Sequence, residues 1–214
     1  MTSQDKKQVG AKATEVRTYR REQSVVFFRT KEAFGGLSNM ASGYPLRVGG
    51  ADVHSSEALY QACRFSHLPD VQAEILRQSN AMNAKAVSKD WREQTRPDWV
   101  RIRVSVMRWC LRVKALQHED TFLGLLMSTG TKPIVELSRR DDFWGALEVA
   151  TGVLTGRNVL GRLLMEVRRD RMDGSLCMSE VSPPDIEGLL LLGQPVPVIR
   201  SSTQDPEALP SRLL

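Results

Sequence analysis

Apolar and polar positions follow two different rhythms along this chain. In the first quarter the apolar residues come in short runs: "SVVFF" at 24–28 has the β-branched and aromatic content of a strand. "LRVGGADV" reads as a hairpin around Gly49-Gly50, and "AFGGLSNMASGYP" before it is loop-like. After residue 55 the spacing becomes helical. In "SSEALYQACRF" (55–65), Leu59, Ala62 and Cys63 ask for burial, while Glu57, Tyr60, Gln61 and Arg64 recur at i, i+3, i+4 and i+7 on another face. Ser55 or Ser56 can cap this helix. Further helices begin near Pro69-Asp70 and Asn80, and the longest begins near Pro97-Asp98 and runs to about Gln117. It carries one stripe of Trp99, Ile102, Val106, Trp109, Cys110 and Val113, and a second of Val100, Val104, Met107 and Leu111. A helix apolar on two sides is enclosed by neighbours, which makes it the expected centre of the fold.

Downstream, "TFLGLLMSTG" predicts a short helix ending at Gly130, "PIVEL" a short strand, and "NVLGRLLMEVRRD" an amphipathic helix. "DDFWGALEVATGVLTGRN" between the last two reads mostly as loop. The expected fold class is α+β: a predominantly α-helical single domain with a small sheet formed mainly by the N-terminal quarter. Residues 1–22 are polar and basic without periodicity and read as a flexible arm, 23–172 as the folded domain, and 173–214 as a Pro-rich C-terminal extension partly packed on it.

Composition narrows the function classes. The chain has 214 residues, 41% hydrophobic and 26% charged, as expected of a soluble globular protein. It has no run long enough to span a membrane and no signal-like N-terminus, so no membrane partner is expected. Cys63, Cys110 and Cys177 are scattered, which fits neither a disulfide framework nor a metal motif and suggests the reducing cytoplasm. His54, His67 and His118 lack ligand spacing, so no metal and no cofactor are expected. A net charge of +5 permits phosphate-bearing partners, although so modest an excess also serves solubility alone.

Several residues carry candidate chemistry, each beside a plainer role. Glu57 near a helix N-terminus gains from the helix dipole without any function, and a catalytic role requires a second acid. "DDFWG" (141–145) offers Asp141 beside Trp144 and Gly145, a combination suited to a planar ligand and a developing positive charge, although most tryptophans only fill a core. At "TGRNVLG", Gly156, Arg157 and Asn158 open a helix whose backbone N–H groups could bind an anion; Asn158 would equally serve as an N-cap. Lys114 continues the stripe of Met107 and Leu111, and Lys85 sits in "AMNAKA". Stems of this kind often snorkel, but a desolvated lysine is also a potential amine nucleophile.

Taken in order, these segments resemble the NADAR family of YbiA-like N-glycosidases, from about Phe27 to Arg169. The resemblance rests on "FGGLSNMASGYPL", "SSEALYQACRF", "RPDW", "MRWCLRVKALQH", "IVELSRRDDFWG" and "GRNVLGRLLMEVR". It implies a functional glutamate at Glu57, matches for the family's tryptophans and aspartate at Trp99, Trp144 and Asp141, and matches for its loop asparagines at Asn39 and Asn158. Lys114 matches a family lysine, with Ala115 in place of the phenylalanine that follows it, and Lys85 matches a basic position. Met40 replaces a phenylalanine. The resemblance further implies cleavage of an N-glycosidic bond to ribose. The wording is similar to the branch that removes ADP-ribose from guanine in DNA (or RNA), releasing ADP-ribose, as antitoxins paired with a DarT-type ADP-ribosyltransferase do. Other members act on phosphorylated riboflavin-pathway intermediates.

Such cleavage develops oxocarbenium-like charge, which a carboxylate stabilises while another group assists the leaving base. Glu57 and Asp141 are the expected pair, in either order, and replacing either is expected to abolish release. Alternatively, Lys85 or Lys114 forms a Schiff base with an opened ribose. Trp99 or Trp144 would stack on a base, with Gly156, Arg157 and Asn158 holding phosphate and Asn39 contributing from its loop. Two rival classes are a non-catalytic module binding ADP-ribose or a nucleotide, and a DNA-binding regulator using "RIRVSVMRWCLRVK".

Overall fold

In the computed structural model, residues 15–201 are described. In chain order the strands and helices are β1 (Arg17–Arg20), β2 (Val25–Phe27), β3 (Leu46–Val48), β4 (Ala51–Val53), α1 (Ser56–Cys63), α2 (Pro69–Leu76), α3 (Ala81–Asp90), α4 (Trp99–Gln117), α5 (Gly124–Met127), β5 (Ile134–Glu136), β6 (Leu147–Ala150), β7 (Val153–Gly156), α6 (Val159–Met172), β8 (Glu180–Val181), β9 (Leu190–Leu191), β10 (Gln194–Pro195) and β11 (Ile199–Arg200). The architecture is mixed α+β with several small sheets. Its residues form two compact units, one of 15–41 with 120–173 and the other of 42–119 with 174–201.

In the first unit β1, β7 and β6 form an antiparallel sheet, and β2 runs parallel to β5 with Val25 opposite Ile134. Tyr19, Val135, Ala146 and Leu154 are buried together between them. Two expectations are corrected. The first two strands find their partners in residues 134–156 rather than within the N-terminal quarter. The basic arm is ordered over 17–20, where Tyr19 alone is buried, while residues 1–14 lie outside the described residues. The stretch read mostly as loop contains the β6–β7 hairpin, turning at Gly152 with φ +71°.

The second unit is helical. Ser55 caps α1 by accepting from the Ala58 N–H, and Asn80 caps α3 by accepting from Asn83. Every residue of α1 is buried, so the expected two-faced helix is enclosed on all sides. The main stripe of α4 is buried throughout, whereas the second begins exposed at Val100 and becomes buried from Met107 onward. Residues 174–200 pack with this unit through polar clamps. The Gln72 side chain donates to the Leu190 carbonyl and accepts from Leu192 N–H. Arg96, held by Asp98, donates to the carbonyls of Glu187 and Gly188.

Candidate functional site

Glu57 occupies the second position of α1, one turn ahead of Gln61. It is 3% exposed. Its Oε1 accepts from Gln61 Nε2 at 2.8 Å and lies 4.0 Å from Lys85 Nζ. Gln61 in turn accepts from Ser88 Oγ, so α3 supplies both the cation and the hydroxyl that orients the amide. A carboxylate this deeply placed requires such partners, because an unmatched buried charge is strongly unfavourable. One turn along α1 from Glu57, the Tyr60 ring packs on Trp99 with centroids 4.9 Å apart. Burial first, and then the Glu57 charge, raises the Tyr60 phenol above its ordinary range. Burial also raises Cys110 on α4, with further contributions from Cys63 and Glu57. Glu57, Tyr60, Trp99 and Lys85 therefore form one cluster: an ordered carboxylate, an aromatic wall and an exposed ammonium.

The two lysines differ sharply. The Lys85 side chain is 59% exposed, so it is not the desolvated amine that its apolar neighbours suggested. Lys114 is fully buried, as the stripe on α4 requires. Its Nζ sits 4.2 Å from the centre of the Tyr44 ring, which meets His118 edge-on. Burial lowers Lys114 from 10.5 to about 7. His118 is lowered too, first by burial and further by the Lys114 charge. Trp99 and Lys114 stand near opposite ends of α4, about 22 Å apart along its axis at 1.5 Å per residue.

In the other unit Asp141 is an exposed loop organiser. Its Oδ1 accepts from the N–H groups of both Phe143 and Trp144 at 2.9 Å, and its own N–H donates to Ser138 Oγ. This fixes the half-buried Trp144, whose ring meets Phe143 edge-on. Asn39 is buried in the loop after the turn at 35–37.

The expected anion cradle at the start of α6 is corrected. The N–H groups of Arg157, Asn158, Val159 and Leu160 donate to the carbonyls of Asp142, Gly145, Phe143 and Trp144, which leaves those four no proton for a phosphate. The Arg157 guanidinium stacks on Phe143 and lies 3.9 Å from Asp142. Asn158, completely buried with φ +47°, does not cap the helix. Its amide donates to Ile134 O and accepts from Glu136 N–H, stitching α6 to β5. Gly145 and Gly156 are glycine because other backbone passes there: a Cβ on Gly145 would lie 2.5 Å from Glu136 O, and one on Gly156 2.5 Å from Gly145 O.

Sequence reasoning also missed one feature beside Glu57 and one around Lys114. Ser88 carries no signal, since its partnership with Gln61 spans 27 residues. The Tyr44–His118 pair around Lys114 joins a loop to a helix end and is equally silent. Among the described residues no group of three or more His, Cys, Asp or Glu side chains could hold a metal, and no helix is long and apolar enough to cross a membrane.

Comparison with known proteins places these features in a wider set. The NADAR domain profile matches residues 26–171. A riboflavin biosynthesis protein of Vibrio vulnificus is 37% identical over 158 residues, 73% of this chain but only 41% of that protein, so the chain spans less than half of its length. The N-glycosidase YbiA of Escherichia coli is 34% identical, over 66% of this chain and 84% of its own. The NMR structure of E. coli YbiA superposes with a TM-score of 0.60 at 31% identity, covering 72% of this chain and 89% of that one.

Proposed function

Because the chain belongs to the NADAR domain family, we propose that it is an N-glycosidase hydrolysing an N-glycosidic bond to ribose. The observation that carries this reading is the buried Glu57 carboxylate, oriented by Gln61 and placed beside the Tyr60–Trp99 wall. In the proposed reaction the C1′–N bond breaks, its electron pair leaves with the base nitrogen, and the base takes up a proton. The Glu57 carboxylate opposes the positive charge growing on C1′ and the ring oxygen. Water then adds to C1′ and gives up its proton. Lys85, exposed and 4.0 Å from Glu57, supplies a charge for a phosphate on the substrate. Asp141 holds Trp144 within its own loop, and Trp99 beside Tyr60 supplies a face for a base.

The preferred substrate is ADP-ribosylated guanine in DNA, with ADP-ribose as product and a DarT-type ADP-ribosyltransferase as genetic partner, on the strength of the sequence resemblance. The name of the Vibrio relative supports a second reading, a phosphorylated riboflavin-pathway intermediate. Purified chain incubated separately with ADP-ribosylated guanosine DNA and with such an intermediate, followed by product mass analysis, separates the two. Glu57→Gln keeps an amide for Gln61 to bond and is expected to reduce release by about a thousandfold, the loss of roughly 4 kcal/mol of electrostatic stabilisation. Saturable ADP-ribose binding without turnover on either substrate would instead mark a binding module.

A further inference from the structure

The hydrogen bonds beside Glu57 have a direction, and that direction bears on the form in which the acid enters the proposed reaction. Three side chains stand in a row: Glu57 and Gln61 on α1, and Ser88 on α3. They are 3%, 6% and 1% exposed, so they depend on one another rather than on solvent. Ser88 Oγ–H donates to Gln61 Oε1, and Gln61 Nε2–H donates to Glu57 Oε1 at 2.8 Å.

That order suits an ionised acid. A carboxylate only accepts, a protonated carboxyl can also donate, and an amide has an acceptor at one end and donors at the other. Turned end for end, Gln61 would set its carbonyl oxygen against Glu57. Two acceptors would then face each other unless the carboxyl carried a proton. The far end of the amide is held from α3. A helical serine commonly returns its proton to a carbonyl of the preceding turn, whereas Ser88 sends it across to the Gln61 oxygen. Its hydroxyl could also accept from a turned amide, so the preference for one orientation comes from charge. Lys85, one turn before Ser88, lies 4.0 Å from the same Glu57 oxygen and favours a negative partner. Lys85 supplies the bias and Ser88 the lock.

We infer that Ser88 is a positioning residue that acts through Gln61 to hold Glu57 as an oriented, ionised acceptor. The inference rests on the N-glycosidase reading and deepens it. Glu57 opposes the positive charge at C1′, and the proton taken up by the departing base comes from a donor other than Glu57.

The test uses the full ¹⁵N-labelled chain and the side-chain NH₂ pair of Gln61, assigned by its loss in Gln61→Met. One proton of the pair is expected at high frequency, because its acceptor is charged. Glu57→Gln should move it back toward the ordinary amide position. Ser88→Ala should narrow the separation between the two protons, and Ser88→Thr, which keeps a hydroxyl, should preserve it. With ADP-ribosylated guanosine as substrate, Ser88→Ala is expected to lower kcat about tenfold at unchanged KM, the effect of losing one buried hydrogen bond. Ser88→Thr should restore it. A Gln61 pair that ignores Ser88→Ala, or a loss carried by KM alone, overturns the inference. Should Ser88→Ala lose its native spectrum, Glu57→Gln decides alone, and a Gln61 pair unmoved there overturns the inference as well. If the unaltered chain turns over no N-glycoside, the glycosidase reading falls, and the Gln61 resonances still judge the lock.

Discussion

Replacing Lys114 by methionine should make the protein more stable near neutral pH. Lys114 is fully buried, and burial lowers it from 10.5 to about 7. Each tenfold change in proton affinity corresponds to about 1.4 kcal/mol, so holding this amine in the folded state opposes folding by on the order of 4 kcal/mol at pH 7. Methionine keeps the length and apolar character of the stem and removes the charge. The sign with pH is fixed: between about 7 and 10.5 the unfolded chain binds the proton and the folded chain does not, so raising the pH removes the penalty. The stability of the unaltered protein should therefore approach that of Lys114→Met by about 1.4 kcal/mol per pH unit above pH 7.5. Cys63 and Cys110, both raised by burial, work in the opposite direction once unfolded thiols ionise near 8.5. Because both proteins share those thiols, the difference between their urea-unfolding free energies isolates the lysine. A difference that stays flat or widens from pH 7 to 8.5 would refute the burial argument. The same variant tests the amine route: if Lys114 forms a Schiff base, Lys114→Met is stable, folded and inactive, and borohydride trapping on the unaltered chain marks that residue by mass.

Asp141→Asn retains an Oδ1 that can accept from Phe143 and Trp144, so it is expected to keep the native Tm where Asp141→Ala lowers it, by about 1–2 kcal/mol of stability; equal loss in both would make the charge itself the requirement. Asn158→Ala leaves Ile134 O and Glu136 N–H unsatisfied and should cost about 2–4 kcal/mol by urea unfolding. Gly145→Ala puts a methyl group 2.5 Å from Glu136 O and is expected to cost about 1–3 kcal/mol, read as a lowered Tm.

Where side chains govern local structure, the sequence was legible. α1, α3 and α4 begin where Ser55, Asn80 and Pro97-Asp98 say they should, because capping and proline geometry act within a few residues. The β6–β7 hairpin was not legible. β6 is exposed along most of its length, so it lacks the alternation that marks a half-buried strand. β1 was hidden for a related reason, since only Tyr19 of "RTYR" is buried and its partners lie about 135 residues away. Within the site, Glu57 and Gln61 were visible as an i, i+4 pair, and Lys114 as the continuation of a stripe. The duties of Asn158 were invisible, because one residue type serves as N-cap, turn former or backbone stitch according to what packs above it.

At the start of α6 the polar groups build the fold. Around the start of α6 the backbone donors of 157–160, the Asn158 amide and Asp141 Oδ1 are all engaged by neighbouring main chain. That segment can therefore offer a ligand only its side-chain surfaces, chiefly the Trp144 ring and the Arg157 guanidinium. Glu57 is different. It accepts from the Gln61 amide and lies 4.0 Å from the mostly exposed Lys85 ammonium. A buried carboxylate oriented by an amide, with a cation at the surface beside it, is suited to oppose a positive charge brought to it. A ribose in the act of losing its base carries such a charge, which is why the proposed chemistry falls to the acid on α1, while the acid at 141 organises its loop.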